Sequence, residues 1–490
     1  MELTLNDSTL LRDQAYIDGT WRSATSGTAF AVKNPADGTL LAEVADLGAT
    51  ETAEAIAAAE RAMVDWRQRS AKDRSTVLRR WFELIMANQE DLARLMTAEQ
   101  GKVLAESRQE ISYAASFIEW FAEEAKRIYG DVIPGADDRR LIVIKQPVGV
   151  VAAITPWNFP SAMITRKAGP ALAAGCTIVL KPAAETPLSA LALAELAERA
   201  GIPAGVFNVI TGTDAPAIGD TLTASPVVRK LTFTGSTPVG KHLLARSAET
   251  VKKVSMELGG NAPVLVFADA DLDAAVAGAV ASKYRNAGQT CICANRLLVQ
   301  ESVYDEFVER FCAAVARLQV GHGLDESNEI GPMIESKARQ KVETMVAEAQ
   351  EAGANIAHGG NAMPELGPNF FAPTVLTGVS PEMRIYREEI FGPVAPVVAF
   401  ADEKQAITMA NDTPFGLAAY VYTNDIGRLW RVSEGLEYGM VGINEVGITS
   451  EVIPFGGFKE SGLGREGSKY GIDDYVEVKY ICMGNIQNRA

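Results

Sequence analysis

GVVAAITPWNFPSAMITRKAGPALAAGCTIVL, residues 149–180, contains two apolar strand-like runs separated by a helical stretch. The first run covers residues 149–155, the helical stretch covers 162–174, and the second run covers 177–180. The same alternation continues in later segments, with a helix at 188–200, a strand at 206–210, a helical stretch near 217–222 and a strand at 230–233. Strands that alternate with helices predict a parallel, doubly wound sheet, which binds ligands at the carboxyl ends of its strands.

Polar residues follow the ends of three of these predicted strands, at residues 155–158, 181–185 and 234–236. A helix then opens at residues 235–240, and its N-terminal amides and positive dipole suit the pyrophosphate of a dinucleotide. Gly462-Leu-Gly-Arg-Glu-Gly467 also fits the G-x-G-x-x-G pattern. Since no predicted strand precedes it and no βαβ unit follows, we do not expect the dinucleotide there.

Residues 286–296, which read Asn-Ala-Gly-Gln-Thr-Cys-Ile-Cys-Ala-Asn-Arg, carry the strongest catalytic signal. They end the apolar helical run Leu272–Tyr284, so Cys291 is expected on an accessible turn. A nucleophilic thiol needs a partner that handles protons, and Glu257, in the strand-like run 253–258, is the upstream candidate. A free cysteine is more often an inert core residue, but the two segments together favour covalent thiol catalysis.

The length and composition of the chain limit the number of domains and the kinds of ligand that it can be expected to bind. The chain has 490 residues, beyond the roughly 250–300 at which one hydrophobic core stops growing, so two or three domains are expected. The net charge of −16 argues against nonspecific nucleic-acid binding. With no apolar run near the ~18 residues of a membrane span and no basic leader, the sequence predicts a cytosolic protein without a membrane partner. Five cysteines without paired CxxC spacing and three scattered histidines predict no metal site, so redox chemistry requires a bound cofactor.

Five motifs stand in the order found in NAD(P)-dependent aldehyde dehydrogenases, and the chain resembles that superfamily over nearly its whole length. They are Pro156-Trp-Asn-Phe-Pro160, Phe233-Thr-Gly-Ser236, Glu257-Leu-Gly-Gly260, Gly288-Gln-Thr-Cys291 and Glu389-Ile-Phe-Gly-Pro393. Residues 283–296 and the ending 461–470 look most like bacterial succinate-semialdehyde dehydrogenases.

The resemblance implies an α/β fold of the aldehyde dehydrogenase type. It has a Rossmann-type dinucleotide-binding domain at residues 1–127 and 148–258 and an α/β catalytic domain at 259–458. A β oligomerisation element, a hairpin joined by the tail, would occupy residues 128–147 and 459–490. That element implies a homo-oligomer, either a dimer or a tetramer.

The resemblance also assigns the chemistry. Cys291 would attack an aldehyde, and the side-chain amide of Asn158 together with the Cys291 backbone N–H would stabilise the oxyanion. Loss of hydride to the nicotinamide converts the thiohemiacetal into a thioester, which Glu257 would hydrolyse through a water molecule. The residues expected to hold the cofactor are Thr155, Trp157, Lys181, Ala184, Gly235, Ser236, Glu389 and Phe391.

The residue three after Lys181 bears on the choice between NAD and NADP. Relatives strict for NAD often place Glu there to hold the ribose hydroxyls, and such a carboxylate would repel a 2′-phosphate. Here the position is Ala184, which removes that repulsion, although Glu185 follows directly and restores part of it. We therefore expect use of NADP with substantial NAD activity.

Substrate choice rests on two arginines and one loop. Arg166 and Arg285 match the pair that holds the carboxylate in succinate-semialdehyde dehydrogenases, and a forked guanidinium suits that group. An ungapped count puts Thr449 at the third contact, a serine in the family, with Ser450 adjacent. The loop departs from the family at residues 445–447, so glutarate semialdehyde or sulfolactaldehyde is the alternative to succinate semialdehyde.

Other interpretations remain to be tested. Cys293 is either a packing thiol or, as in some relatives, the partner of Cys291 in a reversible disulfide. A catalytically silent binding protein on this fold would be expected to lack Cys291 or Glu257, and both are present. A thiol hydrolase that cleaves esters without a nucleotide would need no Lys181, Ser236 or Glu389.

Overall fold

The computed structural model describes residues 3–486. Its strands, in chain order, are β1 (Ala15–Ile17), β2 (Thr20–Arg22), β3 (Ala29–Lys33), β4 (Leu40–Ala45), β5 (Val132–Ile133), β6 (Arg140–Pro147), β7 (Val150–Ile154), β8 (Thr177–Lys181), β9 (Phe207–Val209), β10 (Val228–Thr234), β11 (Lys253–Glu257), β12 (Ala262–Val266), β13 (Ala294–Gln300), β14 (Asn355–His358), β15 (Thr374–Thr377), β16 (Val394–Phe400), β17 (Phe415–Gly416), β18 (Ala418–Tyr422), β19 (Met440–Ile443), β20 (Phe458–Lys459), β21 (Gly462–Leu463) and β22 (Val476–Met483).

The helices, in the same order, are α1 (Ala49–Trp66), α2 (Ala71–Ala87), α3 (Gln89–Gln100), α4 (Leu104–Glu124), α5 (Ala162–Ala174), α6 (Pro187–Ala200), α7 (Ala215–Ala224), α8 (Thr237–Ala248), α9 (Leu272–Tyr284), α10 (Tyr304–Val315), α11 (Ser336–Glu351), α12 (Arg384–Arg387), α13 (Glu403–Asn411) and α14 (Ile426–Gly435). Within residues 3–486, no helix combines the length and the apolar character that crossing a membrane requires.

The first sheet has the strand order β2-β1-β9-β8-β7-β10-β11-β21. The five strands from β9 to β11 are parallel, while β1 and β2 at one edge and β21 at the other run antiparallel. Along β7, Val151 and Ala153 pack with α2 to α6, whereas Val150 and Ala152 pack with α1, α7 and α8. Because helices cover both faces, the strand is apolar on both sides, as in a doubly wound sheet. The predicted fold is confirmed.

The second sheet has the strand order β14-β15-β16-β13-β12-β18-β19. Its strands are parallel except β14, which pairs antiparallel with β15 at the edge. Leu265 and Leu298 pack towards α11 and α13 on one face, and Val264 and Leu297 pack towards α9 and α10 on the other. This alternation makes a second α/β layer structure with its own core.

A third sheet, β22-β6-β5, stands apart from these two. Strands β6 and β22 pair antiparallel along eight residues, from Arg140 opposite Met483 to Pro147 opposite Val476. The predicted strands in the hairpin and in the tail therefore exist and pair with each other. The tail reaches this sheet only at β22, because β21 has already joined the first sheet beside β11.

Candidate active site

A cavity of about 320 Å³ lies where the two large sheets meet. Its walls come from the loops after β7, β10 and β11 of the first sheet and from the loops before β13 and β16 of the second. Ten of the residues predicted from the sequence line it: Trp157, Asn158, Arg166, Gly235, Ser236, Arg285, Cys291, Glu389, Phe391 and Thr449. The fold thus brings residues from distant parts of the chain to one place.

Cys291 lies on a tight turn between α9 and β13, with its side chain partly exposed. The backbone of Asn286 (φ 51°) and Ala287 (φ 54°) is left-handed just before it, which is unfavourable for residues with a Cβ and requires a firm environment. Burial, and then the carboxyl groups of Glu389 and Glu257, raise the pKa of the Cys291 thiol to about 12. The resting thiol is therefore protonated at neutral pH.

Asn158 lies beside this turn. Its Nδ2 donates a hydrogen bond to the backbone oxygen of Gln289 at 2.9 Å, and the residue is only 6% exposed. A side-chain amide carries two N–H donors, so one hydrogen remains for an oxygen atom in the cavity. The backbone oxygen of Asn158 accepts hydrogen bonds from Lys102 Nζ (2.7 Å) and Asn286 Nδ2 (3.0 Å).

Glu257 ends β11, directly before the cavity residues Leu258 and Gly259, but it does not line the cavity itself. It is 3% exposed, and neither carboxyl oxygen has a hydrogen-bond partner among residues 3–486. Burial, and then the nearby Glu466 carboxyl group, raise the pKa of Glu257 well above its usual range. A carboxyl group with a raised pKa suits general acid–base work close to neutral pH.

Glu389 and Phe391, predicted to lie at the nicotinamide end of a dinucleotide, come from the segment before β16 and meet Trp157, the neighbour of Asn158. The rings of Trp157 and Phe391 meet edge to face with their centres 5.6 Å apart. Glu389 Oε1 accepts the backbone N–H of Gly260 at 3.0 Å, and burial raises the pKa of Glu389 to about 7. A Cβ at Gly259 would come within 2.8 Å of Glu389 Oε2, so glycine is needed for this approach.

Thr155, Lys181 and Ala184 lie outside this cavity, at the carboxyl edge of the first sheet. The Thr155 backbone N–H donates to the Lys181 backbone oxygen at 3.1 Å, which joins the ends of β7 and β8. Lys181 is 6% exposed, and burial lowers its pKa. The buried Thr155 Oγ1 has no hydrogen-bond partner within residues 3–486.

The two arginines predicted to hold the substrate anion differ in their surroundings. Arg166 is 1% exposed and forms an ion pair with Glu466, with Nε and Oε2 2.9 Å apart. Its guanidinium lies 4.2 Å from the centre of the Phe455 ring. Arg285 lies 5.5 Å from the Phe159 ring centre and forms no ion pair among the described residues. Of the two arginines, Arg285 is thus the one without an ion pair among residues 3–486, although burial raises the pKa of the nearby Glu106 carboxyl group and the charge of Arg285 partly offsets that rise.

The loop after β19 contributes one of its two predicted contacts. Thr449 lines the cavity, whereas Ser450 does not. The Glu445 carboxylate, one of the departures from the family pattern, accepts the backbone N–H groups of Val446 (2.7 Å) and Gly447 (2.6 Å). That carboxylate is thus bound within its own loop, and these hydrogen bonds lower its pKa.

Cys293 is buried and its thiol contacts the segment before Cys291. Its buried Sγ donates to the Gly288 backbone oxygen at 3.3 Å, and Lys283 Nζ lies 3.8 Å away. Both thiols are free in the structure. Within residues 3–486, no group of His, Cys, Asp and Glu side chains is arranged to hold a metal ion.

The sequence reading missed several residues around the site. Glu466 lies inside the G-x-G-x-x-G segment that we set aside, and it pairs with both Arg166 and Lys167. Lys102 and Glu110, which contact the Asn158 segment, were also missed. The sequence carried no local signal for this pair, because Lys102 lies in the short segment between α3 and α4 whereas Glu110 lies within α4.

Comparison with known proteins identifies the family. The model of the aldehyde dehydrogenase family matches residues 21–481. The chain is 63% identical over 483 residues to a succinate-semialdehyde dehydrogenase of Escherichia coli whose name specifies NADP(+), covering 98% of this chain and 100% of that protein. A crystal structure described as an Escherichia coli NADP dependent enzyme superposes with a TM-score of 0.97 at 62% identity, covering 98% of this chain and 100% of that one.

Two further relatives carry other substrate names. The chain is 61% identical to a glutarate-semialdehyde dehydrogenase of Pseudomonas aeruginosa, covering 99% of this chain and 100% of that protein. It is 59% identical to a 3-sulfolactaldehyde dehydrogenase of Pseudomonas putida, covering 99% of each. The chain belongs to the aldehyde dehydrogenase family, as predicted. The nearly equal identities do not choose among these substrates.

Proposed function

We propose that this protein oxidises a small aldehyde with an anionic tail, succinate semialdehyde in the first place, to the carboxylic acid with reduction of NADP+ or NAD+. The single observation that supports this most is the guanidinium of Arg285 in the cavity that holds Cys291. A guanidinium that forms no ion pair among residues 3–486 and lines the cavity favours a carboxylate or sulfonate on the ligand.

The residues around Cys291 support covalent catalysis. After losing its proton, Cys291 Sγ forms a bond to the aldehyde carbon, and the negative oxygen of the thiohemiacetal accepts hydrogen bonds from Asn158 Nδ2 and the Cys291 backbone N–H. The dinucleotide, when bound, accepts the hydride whose loss leaves a thioester. Glu257, as a carboxylate, then takes a proton from water, which attacks the thioester and releases the acid and the thiol.

The carboxyl edge of the first sheet fits a dinucleotide. Ser236 precedes α8 and makes no side-chain capping bond, so the amides that begin this helix remain open to a pyrophosphate. Thr155 Oγ1 lacks a partner and Lys181 lies on the adjacent strand end, so both can serve ribose and phosphate oxygens. Ala184 carries no charge to repel a 2′-phosphate, which supports NADP with substantial NAD activity.

Arg285 and Arg166 are proposed to act unequally on the substrate anion. Arg166 is paired with Glu466, which it shares with Lys167, so its field at the cavity is partly compensated. We therefore assign the charge recognition mainly to Arg285, with the Thr449 hydroxyl beside it. Glutarate semialdehyde and sulfolactaldehyde carry the same kind of tail and remain the alternative substrates.

The three-stranded sheet supports a homo-oligomer, either a dimer or a tetramer. Its apolar side chains are exposed, with Val132 at 73%, Val478 at 67% and Tyr480 at 57%. Apolar side chains on open strands are typical of surfaces that pair with another chain. The cytosolic location that the sequence predicts stays a prediction.

Initial rates with matched aldehydes test the substrate proposal. Succinate semialdehyde, glutarate semialdehyde, 3-sulfolactaldehyde and an uncharged aldehyde are compared with NADP+ and with NAD+. We expect the anionic aldehydes to be preferred, and Arg285→Ala to raise their KM by about 10-fold to 100-fold, the equivalent of one charged hydrogen bond worth about 1.5–3 kcal/mol. The uncharged aldehyde should be unaffected.

Arg317→Ala is the matched control, because Arg317 is an exposed residue of the outer groove that Arg285 also reaches. It removes the same charge without reaching the cavity. Equal oxidation of the uncharged aldehyde, together with no effect of Arg285→Ala, would overturn the substrate proposal. Ester turnover without any nucleotide, in place of aldehyde oxidation, would support the thiol hydrolase instead.

A further inference from the structure

A buried ion pair lies behind the segment that carries Asn158. Lys102 Nζ and Glu110 Oε2 are 2.5 Å apart, and each side chain is 1% exposed. Neither residue lines the cavity with Cys291. Removing two charges from water is costly, so a buried pair is retained where its other hydrogen bonds are good. The contacts that these two side chains make therefore indicate what the pair does.

The Lys102 ammonium contacts two consecutive residues of the loop after β7. It donates to the backbone oxygen of Asn158 at 2.7 Å and lies 4.0 Å from the centre of the Phe159 ring. The same Asn158 oxygen accepts a second hydrogen bond, from Asn286 Nδ2 at 3.0 Å. The main chain of Asn158 is thus fixed by Lys102 on one side and by the Cys291 turn on the other.

Glu110 holds the far end of the same loop. Its Oε1 accepts the backbone N–H groups of Ser161 at 3.0 Å and Ala162 at 3.2 Å, where α5 begins. A carboxylate satisfies the open amides of a helix start and interacts well with the helix dipole. One ion pair therefore binds both ends of residues 158–162.

The side chain of Asn158 is fixed separately. Its Nδ2 donates to the Gln289 backbone oxygen, two residues before Cys291, at 2.9 Å. Gln100 Nε2 donates to Asn286 Oδ1 at 2.9 Å, so the junction of α3 and α4 also supports the Cys291 turn. With one amide hydrogen used and the main chain held, the direction of the second hydrogen is determined.

We propose that the Lys102–Glu110 pair positions Asn158 so that its free amide hydrogen meets the oxygen of the tetrahedral intermediate on Cys291. The inference rests on the proposed role of Asn158 in stabilising that oxygen. Lys102 and Glu110 are positioning residues, because neither touches the substrate. Hydrogen bonds that stabilise a transition state depend steeply on geometry, and a displacement of about 1 Å can cost about 10²-fold in rate.

The test variant is Lys102→Met/Glu110→Gln, which keeps the net charge and nearly the volume of the pair. Glutamine retains an oxygen for the Ser161 and Ala162 amides, whereas the donor to the Asn158 oxygen is lost. We expect kcat for aldehyde oxidation to fall about 10-fold with KM changed less than about twofold. The melting temperature and circular dichroism establish that the variant is folded.

Two measurements without nucleotide separate positioning from general damage. Acylation of the thiol by p-nitrophenyl acetate, followed as release of the first equivalent of p-nitrophenolate, passes through the same oxyanion and should slow to a similar extent. Alkylation of Cys291 by iodoacetamide forms no oxyanion and should stay within about twofold of wild type.

Comparison in the Asn158→Ala background tests whether the pair acts through Asn158. Asn158→Ala alone should lower kcat by about 10²-fold, as expected for loss of one oxyanion donor. Adding Lys102→Met/Glu110→Gln to it should then cause no further loss, because the group being positioned is absent. A purely structural pair would lower kcat equally in both backgrounds.

Glu99→Gln is the matched control. Glu99 is also a buried carboxyl group, and it accepts the backbone N–H groups of Leu188 and Ser189 at 2.8 Å each, where α6 begins. Because α6 does not carry Asn158, kcat at saturating nucleotide should remain within about twofold of wild type.

The outcomes distinguish the proposed role of Asn158 from the proposal that Lys102 and Glu110 position it. If Asn158→Ala leaves kcat unchanged, the proposed role of Asn158 fails. If Asn158→Ala lowers kcat but the folded Lys102→Met/Glu110→Gln variant does not, only the positioning proposal fails. The positioning proposal also fails if the losses in kcat caused by Asn158→Ala and by Lys102→Met/Glu110→Gln are additive. It fails as well if Glu99→Gln lowers kcat as much as the double substitution does. Should the double substitution not fold, Lys102→Met alone, which removes the donor to the Asn158 oxygen, is measured in both backgrounds with the same criteria.

Discussion

The two ends of the catalytic cavity are built in different ways. At the thiol end, Asn158 and the Cys291 turn are held by buried hydrogen bonds to backbone oxygens, such as those from Asn158 Nδ2 to the Gln289 oxygen and from Lys102 Nζ to the Asn158 oxygen. At the anion end, Arg285 rests on the Phe159 ring without an ion pair among residues 3–486, and Thr449 comes from a long loop. The geometry of the thiol end is therefore fixed by a buried hydrogen-bond network, whereas the anion end depends on side chains that few protein groups hold.

This difference between the two ends indicates that the fold determines the chemistry at Cys291 more strongly than it determines the choice of substrate. A buried network can stay the same while the loops of the substrate end vary, so the attack on an aldehyde can be common to enzymes with several substrates. Loop side chains change freely, and with them the preferred anionic tail. Relatives named for three different aldehydes at 59–63% identity are consistent with this division.

The largest expected effect is at the thiol end. Cys291→Ser should lower kcat for aldehyde oxidation by at least about 10³-fold, because a hydroxyl in this site is far less ionised and less nucleophilic than a thiol. Initial rates with succinate semialdehyde measure this. Cys293→Ser is the control, since Cys293 is buried against the Gly288 oxygen, and it should retain most of the activity. Comparable losses in both variants would break the assignment of the nucleophile.

The next effect concerns the charge of the thiol. Because burial and neighbouring carboxyl groups raise the pKa of Cys291 to about 12, the thiolate fraction of the free enzyme grows as pH rises below that value. The rate of alkylation by iodoacetamide should therefore increase about 10-fold per pH unit between about pH 7 and 9. Stopped-flow or mass-spectrometric rates measure it. A plateau below about pH 8 would show that the resting thiol is activated, contrary to this account.

The smallest effects are expected at the anion end. Thr449→Val removes a hydroxyl from the cavity wall and should raise KM for anionic aldehydes by about fivefold, the equivalent of one neutral hydrogen bond of about 1 kcal/mol. Ser450→Ala, outside the cavity, should change KM less than about twofold. If Ser450→Ala has the larger effect, the loop adopts another register when substrate binds.

The sequence was sufficient to predict structural elements whose residues are close together in the chain. The alternation of strands and helices from residue 149 onward predicted the first sheet, and the end of α9 placed Cys291 on a turn. These predictions succeeded because a local pattern of apolar residues and turn formers determines them.

Pairings across long stretches of sequence could not be predicted. Arg166 and Glu466 are separated by 300 positions, and nothing in the sequence near Arg166 indicates that it forms a buried ion pair. The segment containing Glu466 was set aside as a dinucleotide site, and its sequence gives no sign of the ion pair with Arg166. The hydrogen bond from Lys102 to Asn158, which joins residues 56 positions apart, could not be predicted either. Such contacts depend on which helices the sheets bring together.

The most direct test of the central claim is to trap the acyl intermediate. Glu257→Gln enzyme is mixed with succinate semialdehyde and NADP+, quenched in acid, digested and examined by tandem mass spectrometry. The account predicts a succinyl thioester on Cys291, absent from Cys293 and absent when NADP+ is omitted. An adduct on Cys293, the same adduct without nucleotide, or hydrolysis as fast as in the wild type with no adduct would contradict it.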